Sequence, residues 1–226
     1  MTGTQRISIT VDDTRSVSAL FRCPADAHAC LVLAHGAGAG MQHAFLEVLA
    51  NELDARGVAT LRYQFPYMER GSRRPDPPAL AHATVRRAVA EAAKLAPGTP
   101  LFAGGKSFGG RMTSQAQATA PLPGVRGLVF AGFPLHPAGK PSATRADHLR
   151  DVVVPMLFLQ GTRDGLADLQ LLEPRIVELG ARATLKVIEH ADHSFHVPVR
   201  SGRRDAEVIA DLARLISGWT VTVKGP

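Results

Sequence analysis

The chain has 226 residues, of which 45% are hydrophobic and 20% are charged. These proportions are typical of a globular protein, and the length suits one domain over residues 1–226, large enough to bury about three quarters of its unfolded surface. No apolar run approaches the roughly 20 residues that a membrane-spanning helix needs. Because residues 1–6 also lack the apolar core of a secretory signal, and two cysteines are too few for a disulfide framework, we expect a cytoplasmic protein with no membrane partner.

The formal net charge of +6 raises the question of nucleic-acid binding. The arginine-rich stretches are 70–74, 86–87 and 200–204, and the other basic residues are interleaved with acids, without a basic tail or interspersed aromatic residues. This distribution indicates no nucleic-acid partner. It favours a solvated basic surface, or else a substrate that carries a carboxylate or a phosphate.

The pattern of apolar segments predicts an α/β fold. Residues 6–11 and 16–22 are β-prone and flank a turn, which predicts an opening antiparallel hairpin. From residue 29 onward, strand and helix patterns alternate six times. The predicted strands are 29–34, 58–63, 100–103, 125–131, 155–160 and 183–188, and the predicted helices are 43–56, 79–96, 108–119, 168–179 and 205–219. We therefore predict a mainly parallel central sheet of about seven or eight strands, with helices on both faces.

Three segments show neither the strand pattern nor the helix pattern of apolar residues. They are 35–40, which is rich in glycine, 69–78, which is polar and rich in proline, and 132–151. The last is long for an irregular connection, and such loops are usually functional or mobile. It is nevertheless too short to form a bulky lid, so we predict an open site.

Sites in parallel sheets form beyond the carboxyl ends of the strands. The predicted strands place six chemically suggestive positions at that edge: His35-Gly36, Tyr63, Ser107, Phe133, Asp164 and His193. Because they converge on one edge, we expect a functional site there.

Residues 104–110, Gly-Gly-Lys-Ser-Phe-Gly-Gly, contain the G-x-S-x-G spacing of a nucleophile elbow. A sharp turn from strand to helix strains the serine and raises its hydroxyl above the sheet. The positions two before and two after then crowd the neighbouring backbone, so they must be small. The spacing predicts that Ser107 is a nucleophile, provided that a base and an acid lie nearby.

The order Ser107, Asp164, His193 resembles the order of nucleophile, acid and histidine in the α/β-hydrolase superfamily. The resemblance to this superfamily extends over essentially the whole chain. Shorter strings resemble the small dienelactone-hydrolase-like branch, whose members are mostly uncharacterised and include subunits of regulatory complexes. These strings are His35-Gly-Ala-Gly38, Phe65-Pro-Tyr67-Met68, residues 104–110 and Phe133-Pro-Leu-His136-Pro137. The resemblance implies a serine hydrolase that cleaves a small ester, lactone or thioester through an acyl-enzyme intermediate. The alternative is a non-catalytic binding or scaffold subunit with the same fold.

The resemblance also implies roles for the three residues. His193 takes the Ser107 proton, and Asp164 fixes the tautomer of His193. His190 and His196 are the competing bases, but Asp192-His193-Ser194-Phe195 matches the histidine loop of the family. Asp168 is the competing acid, although its position suits the N-cap of the next helix.

An oxyanion hole needs backbone N–H groups that converge on the developing negative charge. We expect one from Phe108 and the second from Ala37, with Gly38 as the alternative. His35 is expected to hold this loop rather than to bind a metal, because no further ligand stands at the usual spacing. We expect no metal and no cofactor.

The resemblance implies a small acyl compound as the substrate, and we predict a shallow, open pocket for short acyl groups. Candidate pocket walls are Tyr67, Met68, Phe133 and His136, with His148 as a further one. Lys106 precedes the nucleophile, where a side chain usually packs downward, away from the substrate. The sequence leaves open the oligomeric state and the choice between hydrolysis of an ester, a thioester or an amide.

Overall fold

The computed structural model describes residues 3–223, so both ends of the predicted domain, residues 1–2 and 224–226, lie outside the described residues. One eight-stranded sheet forms the centre, in the order β1-β2-β4-β3-β5-β6-β7-β8. Its strands are β1 (Gln5–Asp12), β2 (Arg15–Arg22), β3 (Ala29–Ala34), β4 (Val58–Tyr63), β5 (Leu101–Lys106), β6 (Val125–Ala131), β7 (Met156–Gly161) and β8 (Ala183–Ile188). The first hairpin is antiparallel and joins β4 in antiparallel pairing, whereas β3 to β8 are parallel. The predicted α/β fold is confirmed.

Within residues 3–223, six α-helices flank the sheet. They are α1 (Ala44–Asp54), α2 (Pro66–Glu69), α3 (Pro78–Leu95), α4 (Phe108–Thr119), α5 (Leu169–Leu179) and α6 (Asp205–Thr222). Short 3₁₀ helices cover Thr144–Asp151, Gly180–Arg182 and Val199–Ser201. The helices α1 and α6 cover one face of the sheet, and α3 and α4 cover the other.

The central strands are buried on both faces, which explains their continuous apolar sequences. Every residue of β3 and of β4 is buried, and their alternate side chains contribute to two separate hydrophobic layers. One layer holds the buried leucines of α1 and α6, and the other holds the buried alanines and valines of α3. This packing fixes the strand ends, and with them the loops that follow.

Three local predictions were wrong. The strand predicted at 100–103 continues to Lys106, because Gly104 and Gly105 lie in the sheet, where their missing side chains leave room for the backbones of neighbouring strands. Within the segment predicted as irregular at 69–78, Glu69 ends α2 and Pro78 begins α3. The segment 132–151 ends in a 3₁₀ helix, which buries only Ala146 and Leu149 and therefore shows no clear apolar period.

Between residues 3 and 223, no helix combines the length and the apolar character that crossing a bilayer would need. Cys23 and Cys30 are both free thiols.

Candidate active site

Ser107 lies at the turn between β5 and α4, with φ 51° and ψ −117°. This backbone conformation is common for glycine and costly for other residues. Its N–H group donates to the carbonyl oxygen of Ala131, at 3.1 Å. The flanking Gly105 and Gly109 lie so close to Ala34 that an added β-carbon would come within 2.9 Å and 2.7 Å of the Ala34 β-carbon. The elbow geometry predicted from the spacing is therefore present.

A chain of hydrogen bonds joins the three residues that the sequence singles out. The Oγ atom of Ser107 lies 2.8 Å from Nε2 of His193. The Nδ1 atom of His193 lies 2.7 Å from Oδ2 of Asp164. These residues follow β5, β7 and β8, so the parallel sheet brings them together at one edge.

The direction of these bonds follows from the carboxylate. An ionised carboxylate can only accept a hydrogen bond, so Nδ1 of His193 carries the proton and donates to Asp164. The neutral imidazole then has a free lone pair on Nε2, which accepts the hydrogen bond donated by the Ser107 hydroxyl. The geometry is the one that a proton transfer from Ser107 to His193 would require.

Asp164 is held from several sides, and its side chain is fully buried. Its Oδ1 atom accepts from the N–H of Leu166 at 2.8 Å, and its Oδ2 atom also accepts from the side-chain amide of Gln160. Gln160 belongs to the buried strand β7, and sequence analysis assigned it no role. Its only sequence signal is a polar side chain in an otherwise apolar strand.

The competing residues are engaged elsewhere. The backbone of His190 adopts a positive φ of 64°, and its N–H group donates to the Thr162 hydroxyl at 2.8 Å. His196 is exposed and lies 2.8 Å from Asp205, and this hydrogen bond raises its pKa. Asp168 caps α5, as its position predicted. None of these three side chains reaches Ser107.

Among the backbone N–H groups near Ser107, those of Ala37 and Phe108 have no hydrogen-bond acceptor within residues 3–223. The Phe108 N–H is the first of α4, where the helix dipole favours negative charge. By contrast, the Gly38 N–H already donates to the Tyr67 hydroxyl at 3.0 Å. The geometry thus favours Ala37 over Gly38 as the second donor to an oxyanion.

His35 fixes the loop that carries Ala37. Its ring is fully buried, with Nδ1 at 2.7 Å from the carbonyl oxygen of Gly36 and Nε2 accepting from the N–H of Phe65 at 3.1 Å. Burial lowers its pKa to about 4, so it is neutral. Both ring nitrogens are occupied, and residues 3–223 contain no cluster of three or more His, Cys, Asp or Glu side chains that could hold a metal ion.

The side chain of Lys106 turns toward the site rather than away from it. Its Nζ atom donates to the backbone carbonyl of His193 and lies 5.3 Å from the centre of the Phe195 ring. Burial lowers the pKa of Lys106 to about 8, although the carboxylates of Asp164 and Asp192 act in the opposite direction. The ammonium group therefore ties the loop of His193 to the elbow.

Two cavities open on either side of Ser107, and both are also lined by Ala37 and Leu166. The first, of about 310 Å³, we call the histidine-side cavity; it is lined in addition by His43, Phe45, Leu46, Lys106, His193 and Ser194. The second, of about 420 Å³, we call the arginine-side cavity; it is lined in addition by Asp76, Phe108, Arg111, Met112, Pro134 and Arg145. Neither arginine was among the candidate site residues predicted from the sequence.

The structure corrects the predicted pocket walls, because Tyr67, Met68, Phe133 and His136 line neither cavity. Tyr67 and Phe133 are buried in the hydrophobic core, and the partly buried Met68 packs against it. Nε2 of His136 accepts from the N–H of Asp168 at 3.1 Å. These residues pack beneath the loops of the site and line neither cavity. The sequence pattern alone cannot distinguish such packing from contact with a substrate.

A second serine–histidine contact lies outside the site. The Oγ atom of Ser114 is 2.7 Å from Nε2 of His148, the fifth predicted wall residue. Ser114 is fully buried within α4, where its hydroxyl also bonds to the carbonyl of Arg111 at 2.9 Å. A hydroxyl enclosed in this way cannot meet a substrate.

Comparison with known proteins shows the family and the fold of the chain. A family model described as an alpha/beta hydrolase domain matches residues 27–221. The fold is similar to that of dienelactone hydrolase from Anabaena variabilis, with a TM-score of 0.77 and 20% sequence identity, covering 98% of each chain. A serine hydrolase without a lid from Xanthomonas campestris gives a TM-score of 0.74 at 18% identity, covering 97% of this chain and 96% of that one. Est1E from Butyrivibrio proteoclasticus, bound to ferulic acid, gives 0.76 at 15% identity, covering 95% of this chain and 99% of that one. At these identities the likeness to solved structures shows a shared fold.

Proposed function

The chain belongs to the alpha/beta hydrolase family, and we propose that it is a serine hydrolase that cleaves a small ester, lactone or thioester through an acyl-enzyme intermediate. The observation that carries this proposal is the hydrogen-bonded chain Ser107–His193–Asp164 beside two N–H groups without acceptors. A nucleophile, its base and an oxyanion hole are the parts that acyl transfer requires.

In the first half of the reaction, Nε2 of His193 removes the Ser107 proton while Oγ attacks the acyl carbon. The carbonyl oxygen becomes an oxyanion, which accepts hydrogen bonds from the N–H groups of Ala37 and Phe108. Asp164 stabilises the imidazolium that forms. The bond to the leaving group then breaks as His193 gives it the proton, and the acyl group stays on Ser107.

In the second half, a water molecule takes the place of the leaving group. His193 removes a proton from this water, the resulting hydroxide attacks the acyl-enzyme, and the proton passes to Ser107 as the acid leaves. Lys106 holds the carbonyl of His193 throughout, so the imidazole keeps its place between serine and aspartate.

Two observations support a small substrate. The cavities on either side of Ser107 measure about 310 and 420 Å³, the lower part of the range for small-molecule sites. The similar proteins include one named dienelactone hydrolase and one with ferulic acid bound, and both of these compounds are small. We also propose that the chain acts as a single domain in the cytoplasm, where free thiols such as Cys23 and Cys30 persist.

The proposal is tested with a fluorophosphonate probe, which reacts with activated serines. We expect stoichiometric labelling of Ser107, loss of labelling in Ser107→Ala, and a fall in turnover of short-chain p-nitrophenyl esters by several orders of magnitude. Ser114→Ala is the matched control, because it removes the hydroxyl of the other serine–histidine contact. This control should label like the wild type.

If the folded protein is not labelled and turns over none of these esters, the catalytic proposal fails. The same fold would then serve as a binding or scaffold subunit. Faster hydrolysis of long-chain than of acetate or butyrate esters would contradict the preference for short acyl groups.

A further inference from the structure

Arg111 and Arg145 both line the arginine-side cavity, and neither has a counter-charge paired with it in the part of the chain that the structure describes. Within residues 3–223, neither guanidinium forms an ion pair or a hydrogen bond with another residue. The Nε atom of Arg111 is buried and has no partner. An unpaired buried donor of this kind costs free energy unless a ligand satisfies it.

The charge of Arg145 also acts on Arg111. Burial and then the charge of Arg145 lower the pKa of Arg111. Burial, followed by the charge of Arg111, lowers the pKa of the neighbouring His148 to about 4. The carboxylate of Asp151 acts on His148 in the opposite direction, but within residues 3–223 it forms no ion pair with Arg111 or Arg145.

The one acidic group that lines the arginine-side cavity is already paired. Asp76 accepts from the N–H of Tyr67 at 2.8 Å and from the guanidinium of Arg70 at 2.9 Å. Its charge is thus shared with Arg70 and leaves Arg111 and Arg145 available for a ligand.

The position of the arginines relative to Ser107 indicates which half of the substrate they meet. His193 must deliver a proton to the leaving group, so the leaving group belongs in the cavity that His193 lines. The acyl chain then extends into the opposite cavity, which is lined by Phe108, Arg111 and Arg145 and not by His193.

We propose that the acyl chain of the substrate ends in a carboxylate, which Arg111 and Arg145 bind in the arginine-side cavity. This inference rests on the proposed hydrolase function and names its substrate class: monoesters or monothioesters of dicarboxylic acids. Guanidinium groups suit the task, since they present several donors in a plane to a carboxylate. Arg111 stands four positions after Ser107 in α4, a rise of about 6 Å, which is roughly the reach of an acyl chain with four methylene groups.

The test compares mono-p-nitrophenyl adipate with p-nitrophenyl hexanoate, a neutral ester with the same number of acyl carbons. We expect the wild type to have at least about tenfold higher kcat/KM for the adipate ester. Arg111→Gln and Arg145→Gln should each lower that kcat/KM by about 10- to 100-fold while changing the hexanoate value by less than about threefold. Added salt should weaken the preference for the adipate ester.

Arg126→Gln is the matched control, since Arg126 stands near the amino end of β6, at the opposite edge of the sheet. It should change neither value. Equal kcat/KM for the two esters, or an equal loss on both in the arginine variants, overturns the inference while hydrolysis through Ser107 stands. If Arg111→Gln does not fold, Arg145→Gln decides the question alone.

If the protein turns over neither ester, protection of Ser107 from the fluorophosphonate probe replaces turnover as the readout. Monomethyl adipate should then protect at concentrations at least about tenfold lower than methyl hexanoate, and Arg145→Gln should remove the difference. Equal protection, or none by either ester, overturns the inference. Failure of labelling itself would instead count against the proposed function.

Discussion

The strained backbone at Ser107 can be tested by removing its β-carbon. At φ 51° and ψ −117°, Ser107 occupies a region that costs a residue with a β-carbon about 1–3 kcal/mol. The strain persists because the surroundings hold it, through the bond from the Ser107 N–H to Ala131 and the close packing of Gly105 and Gly109 against Ala34. Glycine adopts this region without strain.

The informative comparison is between Ser107→Gly and Ser107→Ala. Both variants lose the hydroxyl and its hydrogen bond to His193, so their difference isolates the β-carbon. Alanine keeps the strain. Glycine releases it, at a cost of about 0.5–1 kcal/mol from the greater freedom of the unfolded chain. We therefore expect Ser107→Gly to be more stable than Ser107→Ala by about 0.5–2 kcal/mol.

Urea unfolding of the two variants measures this difference. The pair Ser16→Gly and Ser16→Ala serves as the control, because Ser16 is exposed in β2 with an ordinary strand conformation. There the glycine variant should be the less stable by about 0.5–1 kcal/mol. The reasoning is refuted if Ser107→Gly is less stable than Ser107→Ala, or if the two positions give the same sign. Neither Ser107 variant should react with a fluorophosphonate.

Three other substitutions test the surroundings of the nucleophile. Asp164→Asn offers an amide that can donate to Nδ1 of His193 and favour the wrong tautomer, so kcat should fall by about 10⁴-fold with the circular dichroism spectrum unchanged; a loss below tenfold would contradict the assigned role. Gly105→Ala places a β-carbon against the backbone of Ala34 and should lower the free energy of unfolding in urea by at least about 1–3 kcal/mol. The control Gly218→Ala, in an open position of α6, should raise the free energy of unfolding by about 0.5–1 kcal/mol. Lys106 loses its proton near pH 8 in the folded state and near 10.5 when unfolded, so the unfolded state holds more protons between these values. The free energy of unfolding should therefore rise by up to about 3 kcal/mol from pH 8 to 10.5 relative to Lys106→Met; parallel curves for the two proteins would refute this.

The buried strands were the easiest elements to predict. The bounds of β3 (Ala29–Ala34) and β4 (Val58–Tyr63) match the predicted ones because burial on both faces demands a continuous apolar run. The strand β5 was predicted too short because Gly104 and Gly105 resemble loop residues by composition. In the sheet, the same absence of a side chain allows close approach of β6 and β3, which only the strand order reveals.

The proposed catalytic residues follow strand ends, so their convergence could be predicted from the alternation of strands and helices. The choice between Ala37 and Gly38 could not be predicted, because it depends on the Tyr67 hydroxyl. Tyr67 lies in α2, a helix of four residues that is too short to show a helical pattern in the sequence. The direction of the Lys106 side chain likewise depends on the carbonyl of His193, 87 positions later in the chain.

The same distinction explains why a reaction type follows from the sequence more readily than a substrate. Ser107 and Arg111 are four positions apart, so one turn of α4 places both at the same end of the sheet, and that spacing is visible in the sequence. The proposed role of Arg111 depends on Arg145, which lies in the first turn of the 3₁₀ helix Thr144–Asp151, within the segment predicted as irregular at 132–151. The position of Arg111 follows from the predicted helix α4. The position of Arg145 depends on a segment that has few buried residues and therefore shows no apolar pattern in the sequence. Of the two residues proposed for substrate choice, Arg111 therefore lies on the predictable framework with Ser107, whereas Arg145 lies on a part of the fold that only the structure shows.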